Sequence, residues 1–334
     1  MVSVYLGIFM AVLGIESSAH TLGVGIADNG RIVANVKHMY DVGNGGMIPS
    51  KVADFHAKNI GRLMKEALQH CGLSIEDIDA IGYTKGPGIG SCLRIGQLAA
   101  LALSEKYRLP LYDVNHAVAH IEITKHMFRL SDPLVLYASG GNSQILAIEK
   151  EPYRHYHVYG ETFDIGVGNM LDSFARFAGL DPAWGSTVAK VAEGGNYIEL
   201  PYTVKGMDFT FTGLLTSAMK ALKTRDLKDV AYSLQETAFS MLCEATERAL
   251  LLKGKKELML CGGVAQSKRL RKMLNIMAAS HKAKFCVAPN EFNADNGAMI
   301  ALVAEEMFES GMKARVERCT INQKYRIDSV RIEW

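Results

Sequence analysis

The sequence predicts an α/β protein in which one structural unit occurs twice along the chain. Short apolar or β-branched runs come in two sets of three, and segments with helical apolar spacing follow each set. The predicted strands cover 12–17, 21–28 and 31–39 in the first set, and 134–138, 144–149 and 154–159 in the second. The pair Asn29-Gly30 between two of these runs predicts a tight hairpin.

Helices are expected wherever apolar residues recur every three or four positions. They are predicted at 49–71, 93–107, 167–178, 227–253 and 268–279, with a further helix from His116 and a last one from near Asp295-Asn296 to about 310. Additional strands are predicted at 80–84, 111–114 and 257–261. The composition changes near Ser131-Asp-Pro133, which predicts one lobe over 10–132 and a second over 133–297. Residues 1–9 are expected to be an extra segment before a start at Met10, and a glycine loop is predicted at 43–46.

The bulk properties are those of an ordinary globular protein. Of the 334 residues, 49% are hydrophobic and 22% are charged, and the formal net charge is +2. This balance does not mark a strong nucleic-acid binder, although it permits local basic patches. The six cysteines are scattered without a Cys-x-x-Cys pair, which favours reduced thiols and a cytoplasmic location. The apolar start of the chain is too short to span a bilayer as a helix, so no membrane segment is expected.

His116 and His120 are the most informative pair of residues for chemistry. On a helix, residues four apart share a face with Cβ atoms about 5–6 Å apart, which suits two ligands of one metal ion. Ala117 follows His116, so the glutamate general base of a His-Glu-x-x-His metalloprotease is missing. The alternative is two polar residues on a half-exposed helix face.

Three loops after predicted strands could present backbone N–H groups to a phosphate: 16–18, 139–142 and 262–264. Taken singly, each also fits an ordinary turn. Asp295, Asp164 and Asp172 could each serve as a helix cap. Alternatively, Asp295 could be a metal ligand and Asp172 an acceptor for ligand hydroxyls. Asp208 lies in an alternating segment predicted to be a strand. Neither a P-loop nor a Gly-x-Gly-x-x-Gly fingerprint is present.

Several segments, in this order, resemble the universal tRNA threonylcarbamoyltransferase family, whose bacterial member is TsaD. They are Thr84-Lys-Gly-Pro-Gly-Ile-Gly-Ser-Cys-Leu-Arg94, His116-x-x-x-His120, Tyr137-Ala-Ser-Gly-Gly-Asn142, Gly160-Glu-Thr-Phe-Asp164, Gly168-Asn-Met-Leu-Asp172, Val204-Lys-Gly-Met-Asp208, Gly262-Gly-Val264 and Asp295-Asn-Gly-Ala-Met299. Tyr137 and the final segment from Gln323 to Trp334 resemble the archaeal and eukaryotic branch, the catalytic subunit of the KEOPS complex. The resemblance covers 12–334.

This resemblance implies a duplicated actin-like or sugar-kinase-like fold (ASKHA, RNase-H-like) with two lobes and a central cleft. The last helix and the tail 298–334 would complete the first lobe. It also implies a metal-dependent acyltransferase that moves the threonylcarbamoyl group from threonylcarbamoyl-AMP to the exocyclic amine of the adenosine 3′ to the anticodon, in tRNAs that read ANN codons. AMP is released. The implied partners are tRNA, a small protein kinase/ATPase that is fused in some relatives, and a small dimerising subunit.

The resemblance further implies one iron or zinc ion held by His116, His120, Asp295 and Tyr137, the first three being the catalytic set. Residues implied to contact threonylcarbamoyl-AMP, or an adenine nucleotide such as ATP or AMP, are Tyr137, Ala138, Ser139, Gly140, Gly141, Asn142, Asp172, Gly185, Gly262, Gly263 and Ser267. Glu16 and His20 are candidate general bases. The chain departs from the family pattern at Ala183-Trp184-Gly185, where Pro-Gly-Gly is usual, and at Ser267, where asparagine is usual.

Two other functions are compatible with such a chain. A small-molecule kinase or nucleotide-gated ATPase of the same fold would use ATP itself, but that chemistry does not need a histidine pair. A DNA- or chromatin-associated binding protein is disfavoured by the near-neutral charge.

Overall fold

The computed structural model describes residues 10–41, 47–314 and 319–334, and these form two compact units. The first contains the described residues up to Ile123 together with those from Asp295 onwards, and the second contains Thr124–Ala294. The predicted limits, 10–132 with 298–334 and 133–297, stay a prediction. The predicted extra segment 1–9 and the predicted glycine loop 43–46 lie outside the described residues.

The first unit is built on a five-stranded sheet in the order β3-β2-β1-β4-β5. Its strands are β1 (Ala11–Glu16), β2 (Thr21–Asp28), β3 (Arg31–Met39), β4 (Ile78–Gly86) and β5 (Leu111–Asn115). Its helices are α1 (Pro49–Cys71), α2 (Gly90–Tyr107), α3 (His116–Phe128, which continues past Ile123 into the second unit) and α10 (Gly297–Glu309). The predicted hairpin forms at Asn29 and Gly30, both of which adopt positive φ, as a two-residue turn of this kind requires.

The second unit repeats this topology with a sheet in the order β12-β11-β6-β7-β8. Its strands are β6 (Leu134–Ala138), β7 (Ser143–Glu149), β8 (His155–Glu161), β11 (Glu257–Cys261) and β12 (Lys284–Val287). Its helices are α4 (Val167–Phe177), α5 (Gly185–Val191), α6 (Thr212–Ala221), α7 (Leu227–Lys253), α8 (Lys268–Ser280) and α9 (Asn290–Asn293), and a small hairpin joins β9 (Val204–Lys205) to β10 (Asp208–Phe209).

The two sheets share one pattern of pairing. In each, three strands follow one another antiparallel, and two further strands then pair in parallel beyond the first strand of the set. The predicted duplicated α/β fold is therefore confirmed. Because α7 crosses the second sheet with a largely apolar face, the core of that unit lies between this helix and strands β6, β7 and β11.

Helix α10 lies directly against β1 and β2 because glycines remove the side chains between them. A Cβ atom on Gly14 would lie 2.1 Å from the backbone nitrogen of Ala301, and one on Gly25 would lie 2.2 Å from that of Ala298. This close approach fixes the start of α10, and with it Asp295, against the first sheet.

The predicted strand through Asp208 is wrong in its form. The segment turns at Gly206, which has a φ of +67°, and so makes the β9–β10 hairpin instead of one alternating strand. Asp208 does not simply face solvent, since its Oδ1 accepts a hydrogen bond from the Glu161 backbone at 3.0 Å. Among the described residues, no helix is both long and apolar enough to cross a membrane.

Candidate active site

Three side chains of the first unit converge at the start of α3. His116 and His120 occupy successive turns of this helix with ring centroids 4.7 Å apart, and they are 8% and 1% exposed. Asp295 Oδ1 lies 3.5 Å from Nε2 of His116 and 3.3 Å from Nε2 of His120. The potential ligand atoms of these three residues all lie within 4.8 Å of one another. The structure thus brings together the three residues of the predicted catalytic set.

Asp295 is available for this cluster because its neighbour caps the helix. Asn296 is the N-cap of α10, and its side-chain oxygen accepts a hydrogen bond from the backbone nitrogen of Met299 at 3.0 Å. The helix-cap interpretation of Asp295 is therefore wrong by one residue, and the carboxylate of Asp295 faces the imidazoles instead.

Glu16, at the end of β1, orients His116 through the ring nitrogen that faces away from Asp295. Its Oε2 lies 2.9 Å from His116 Nδ1 and accepts a hydrogen bond from the Thr84 hydroxyl at 2.8 Å. Its Oε1 accepts a hydrogen bond from the Ser18 backbone at 2.6 Å. A carboxylate in this position holds a proton on Nδ1, so that Nε2 faces Asp295 and is the nitrogen that would bind a metal ion, as in the outer shell of many metal sites.

The charges in this cluster favour a bound cation. Burial lowers the pKa of His116, but the carboxylates of Glu16 and Asp295 outweigh burial and raise it to about 9. Burial raises the pKa of Glu16 and of Asp295, yet the interaction with His116 holds both below their ordinary values. Burial lowers the pKa of His120. The two carboxylates thus draw positive charge onto His116, and a metal ion at Nε2 would supply that charge instead.

The donor set fits a transition metal. Two imidazole nitrogens and one carboxylate oxygen are ligands that suit zinc and ferrous iron, and three protein ligands leave positions open for a substrate. The residues that would hold the ion, the second carboxylate behind them and their burial therefore fit the predicted metal site.

Asn115 fixes the start of α3, although it was not among the residues predicted for the site. Its side-chain oxygen accepts hydrogen bonds from the backbone nitrogens of Ala117 at 2.9 Å and Val118 at 3.1 Å, so it caps the helix immediately before His116. Its Nδ2 donates to the backbone oxygen of Tyr325 at 3.0 Å, which ties the C-terminal segment to the same point. An asparagine directly before a helix is a recognisable signal that could have been used.

In the second unit, the predicted phosphate loop 139–142 is held by its own turn and by α4. The Ser139 hydroxyl accepts a hydrogen bond from the Asn142 backbone at 3.0 Å, and the Gly168 backbone donates to the Ser139 oxygen at 3.2 Å. A Cβ atom on Gly166 would lie 2.3 Å from the backbone oxygen of Gly140. Glycine is therefore needed at 166 for the start of α4 to lie against this loop.

A second loop follows the carboxyl end of the neighbouring strand, β11. Strands β6 and β11 are parallel neighbours with Tyr137 opposite Cys261, so residues 138–142 and 262–263 follow adjacent strand ends. Gly262 has a φ of +91°, and a Cβ atom there would lie 2.5 Å from the backbone oxygen of Ala138. In α/β sheets, ligands bind beyond the carboxyl ends of the strands, which is where these loops lie.

Of the residues predicted to contact the nucleoside, Asp172 and Gly185 lie next to each other. The Gly185 backbone donates to Asp172 Oδ1 at 2.7 Å, so the carboxylate bonds to the start of α5. Trp184, a departure from the family pattern, is the N-cap residue of α5. Ser267 caps α8 by accepting a hydrogen bond from the Leu270 backbone at 3.4 Å, which gives it a structural role. Its contact with the nucleotide stays a prediction.

Asp164 was predicted as a cap or a solvated carboxylate before α4, but its carboxylate bonds mainly to the segment before α6. Its carboxylate accepts hydrogen bonds from the backbone nitrogens of Ile165, Phe211 and Thr212 at 2.7–3.0 Å. Burial raises the pKa of Asp164, but the N–H groups of Phe211 and Thr212 outweigh burial and lower it to about 2. The carboxylate therefore joins the loop before α4 to the segment before α6.

Comparison with solved structures places the fold in the actin-like ASKHA class. A HypF from Thermococcus kodakarensis matches with a TM-score of 0.59 at 16% identity, over 91% of this chain and 49% of that one. A ROK-family glucokinase from Streptomyces griseus matches with a TM-score of 0.51 at 12% identity, over 89% of this chain and 99% of that one. At such identities the likeness shows the fold alone.

The sequence defines the family more narrowly. The family model for TsaD, tRNA N6-adenosine threonylcarbamoyltransferase, matches residues 31–302. A relative of that name from Thermococcus sibiricus is 48% identical over 97% of this chain and 100% of its own length. A probable bifunctional tRNA threonylcarbamoyladenosine biosynthesis protein from Thermoplasma volcanium is 43% identical over 97% of this chain and 62% of its own. The chain belongs to the tRNA N6-adenosine threonylcarbamoyltransferase family, and the kinase alternative is not favoured.

Proposed function

We propose that this protein transfers the threonylcarbamoyl group from threonylcarbamoyl-AMP to the exocyclic amine of the adenosine 3′ to the anticodon, in tRNAs that read ANN codons, and releases AMP. The observation that carries the proposal is the cluster of His116, His120 and Asp295 with Glu16 behind it, in a chain of this family. A kinase of the same fold has no need for two imidazoles and a carboxylate converging on one point.

We further propose that His116, His120 and Asp295 hold one iron or zinc ion. The resemblance adds Tyr137 as a further ligand, and that assignment stays a prediction. When bound, such an ion acts as a Lewis acid that polarises an acyl carbonyl and stabilises charge on a leaving group. The adenine amine is a weak nucleophile, so this reaction needs an activated carbonyl.

The chain's own residues then orient the reactants. Glu16 uses both of its oxygens to hold His116, Ser18 and Thr84. This arrangement supports a positioning role for Glu16 in preference to that of a general base; His20 stays a candidate for the latter. In the second unit, the glycines at 140 and 141 allow a phosphate to approach backbone N–H groups without obstruction by side chains. We propose that this loop and residues 262–263 bind the adenylate, with Asp172 and Gly185 towards the nucleoside and Ser267 beside them.

The proposed partners are tRNA and the other KEOPS subunits, including the small protein kinase/ATPase and a small dimerising subunit. The length of the bifunctional relative beyond the part that this chain matches supports a partner that is fused in some members. We propose that the protein acts in the cytoplasm, which agrees with the scattered cysteines, all of them free.

The direct test is a reconstituted reaction of the full chain with partner proteins, threonine, bicarbonate, ATP and tRNA, followed by mass spectrometry of the tRNA nucleosides. We expect threonylcarbamoyladenosine from the unaltered protein and none from His116→Ala. His126→Ala is the matched control, since His126 lies exposed in the last turn of the same helix, and this variant should keep full activity. Full product from a folded His116→Ala, or rapid ATP turnover without tRNA and no modified nucleoside, would contradict the proposal.

A further inference from the structure

We propose that Phe163 stacks on the base of the acceptor adenosine and so determines how the tRNA anticodon loop is presented to the site. This inference rests on the proposed function and adds a residue that binds the acceptor base. Phe163 lies between β8 and α4, in the segment whose Gly166 packs onto the 139–142 loop.

The exposure of Phe163 is the first observation. Its side chain is 70% exposed, more than any other large apolar side chain among the described residues. Nearby Phe209 and Phe211 are 1% and 0% exposed, so Phe163 stands apart from the apolar interior to which they belong. An exposed aromatic ring is available to a binding partner at little cost in side-chain entropy.

The backbone around Phe163 is rigid although the ring is exposed. The Phe163 nitrogen donates to the Phe209 oxygen at 3.2 Å, and the Thr162 nitrogen donates to the Ser143 oxygen at 3.0 Å. The Thr162 hydroxyl donates to Asp164 Oδ1 at 2.9 Å. Asp164 is itself fixed by the N–H groups described above, so both neighbours of Phe163 are held in place. A ring on such a support is pre-organised for binding, because little backbone freedom remains to be lost.

The position of this segment indicates the occupant. Ser143 directly follows the proposed adenylate loop and bonds both to Thr162 and, through its hydroxyl, to the Val167 backbone at 3.0 Å. Phe163 therefore lies at the rim of that loop. An acceptor adenosine must approach the acyl group of the adenylate, and unpaired RNA bases are commonly held by stacking on aromatic side chains.

The neighbours of Phe163 favour a base over an apolar protein surface. Thr162 and Asp164 flank Phe163 in the sequence. The exposed cation Lys205 lies in the β9–β10 hairpin, and Phe209 of this hairpin accepts the hydrogen bond from the Phe163 nitrogen. A single exposed ring with polar neighbours and one nearby cation fits a base that stacks on it, since sites for unpaired nucleotides combine aromatic stacking with positive charge.

The test measures stacking directly. The probe is an anticodon stem-loop RNA with 2-aminopurine in place of the acceptor adenine, because stacking on an aromatic ring quenches its fluorescence. The full chain is titrated as the unaltered protein and as Phe163→Ala, Phe163→Trp and Phe177→Ala. Phe177 is a suitable control because it is an exposed phenylalanine, 56% accessible, at the far end of α4, about 15 Å along the helix from its start.

We expect quenching with the unaltered protein, with Phe163→Trp and with Phe177→Ala, and its loss with Phe163→Ala together with a fall in RNA affinity of roughly 5- to 150-fold. In the transferase assay, Phe163→Ala should raise the KM for tRNA more than it lowers kcat. Equal quenching and affinity in Phe163→Ala, or no quenching by the unaltered protein at saturation, would overturn the inference. Loss of partner-protein binding with normal RNA binding would also overturn it.

The two proposals fail separately in these experiments. A chain that makes no threonylcarbamoyladenosine but loses RNA quenching in Phe163→Ala refutes the proposed function and leaves the stacking role standing. A chain that is fully active, but in which Phe163→Ala quenches and binds RNA like the unaltered protein, supports the proposed function and refutes the stacking role.

Discussion

The Nδ1 atom of His116 lies 2.9 Å from Oε2 of Glu16, and this contact joins the end of β1 to the first turn of α3. It leaves Nε2 of the same ring directed at Asp295. Glu16 is completely buried and its oxygens have two further hydrogen-bond donors, so the orientation of the imidazole is set before any ligand arrives.

Replacing Glu16 with glutamine should weaken metal binding by about 10- to 100-fold, as changes to such outer-shell partners usually do. The cause is loss of the charge that holds the Nδ1 proton. Affinity for zinc can be measured by competition with a chromophoric chelator, with circular dichroism to check folding. Asp113→Asn is the control, since Asp113 pairs with Lys85 outside the cluster and its loss should leave zinc affinity unchanged. An unchanged zinc affinity in Glu16→Gln would show that Glu16 does not act through His116.

Asn115→Ala should lower the free energy of unfolding by about 1 kcal/mol, because the first turn of α3 loses its cap. It should also weaken metal binding, since His116 lies in that turn. Asn115→Asp keeps an acceptor for the helix N–H groups but places an oxygen against the Tyr325 oxygen, so it should recover the cap and not the tie to Tyr325. Chemical denaturation and the chelator assay check both effects; an Asn115→Ala variant as stable as the unaltered protein would rule out this capping role.

Gly14→Ala should destabilise the protein strongly, because the new Cβ would lie 2.1 Å from the Ala301 backbone and would force α10 away from β1. Gly61→Ala is the matched control. Gly61 lies inside α1 with no atom within 4 Å of the new Cβ, so alanine there should stabilise by up to about 1 kcal/mol. Thermal unfolding gives the Tm of both variants for comparison with the unaltered protein. A Gly14→Ala protein with an unchanged Tm would contradict the close packing of α10 on β1.

Glu305 should make stability depend on pH. Its Oε2 accepts a hydrogen bond from Gly30, while Oε1 is buried without a hydrogen-bond partner among the described residues. Burial raises the pKa of Glu305 from 4.5 to about 7. Between these values the folded state keeps a proton that the unfolded state has lost. The free energy of unfolding should therefore fall as pH rises from about 4.5 to 7 and then level off with respect to this group.

Glu305→Gln should remove that part of the pH dependence, since an amide does not titrate. Glu66→Gln, on the exposed surface of α1, is the control and should keep the pH profile of the unaltered protein. Chemical denaturation at a series of pH values measures the free energy of unfolding of the unaltered protein and of both variants. Parallel profiles for the unaltered protein and Glu305→Gln would refute the raised pKa.

Much of the fold could be predicted because long elements repeat their apolar spacing many times. The limits of α1, α7, β2, β3 and β11 agree with the prediction to the residue. Helices α5 and α6 were not predicted, and the two-residue strands β9 and β10 were predicted as one continuous strand. A strand of two residues is too short to show an alternating apolar pattern. The pairing of β9 with β10 depends on a turn at Gly206, and a glycine alone does not distinguish a turn from a continuing strand.

The site was less predictable because its residues come from separate segments. The spacing of His116 and His120 indicated one helix face, but only the fold brings Asp295 next to them, 175 residues further along the chain. Glu16 was predicted only as a candidate general base, and nothing in the sequence indicated that it would hold His116. Its role follows from the pairing of β1 with β4, which places Glu16 beside Thr84, and from the position of α3.

The most direct test of the account is whether a metal ion at the proposed site of His116, His120 and Asp295 is needed for transfer to tRNA. The chain is stripped with a chelator, shown by elemental analysis to contain no iron or zinc, and then assayed with its partners as either metal is added back. We predict no threonylcarbamoyladenosine from the stripped chain and full recovery at one metal ion per chain, with no recovery in Asp295→Ala. Full product from the stripped, metal-free chain would contradict the account.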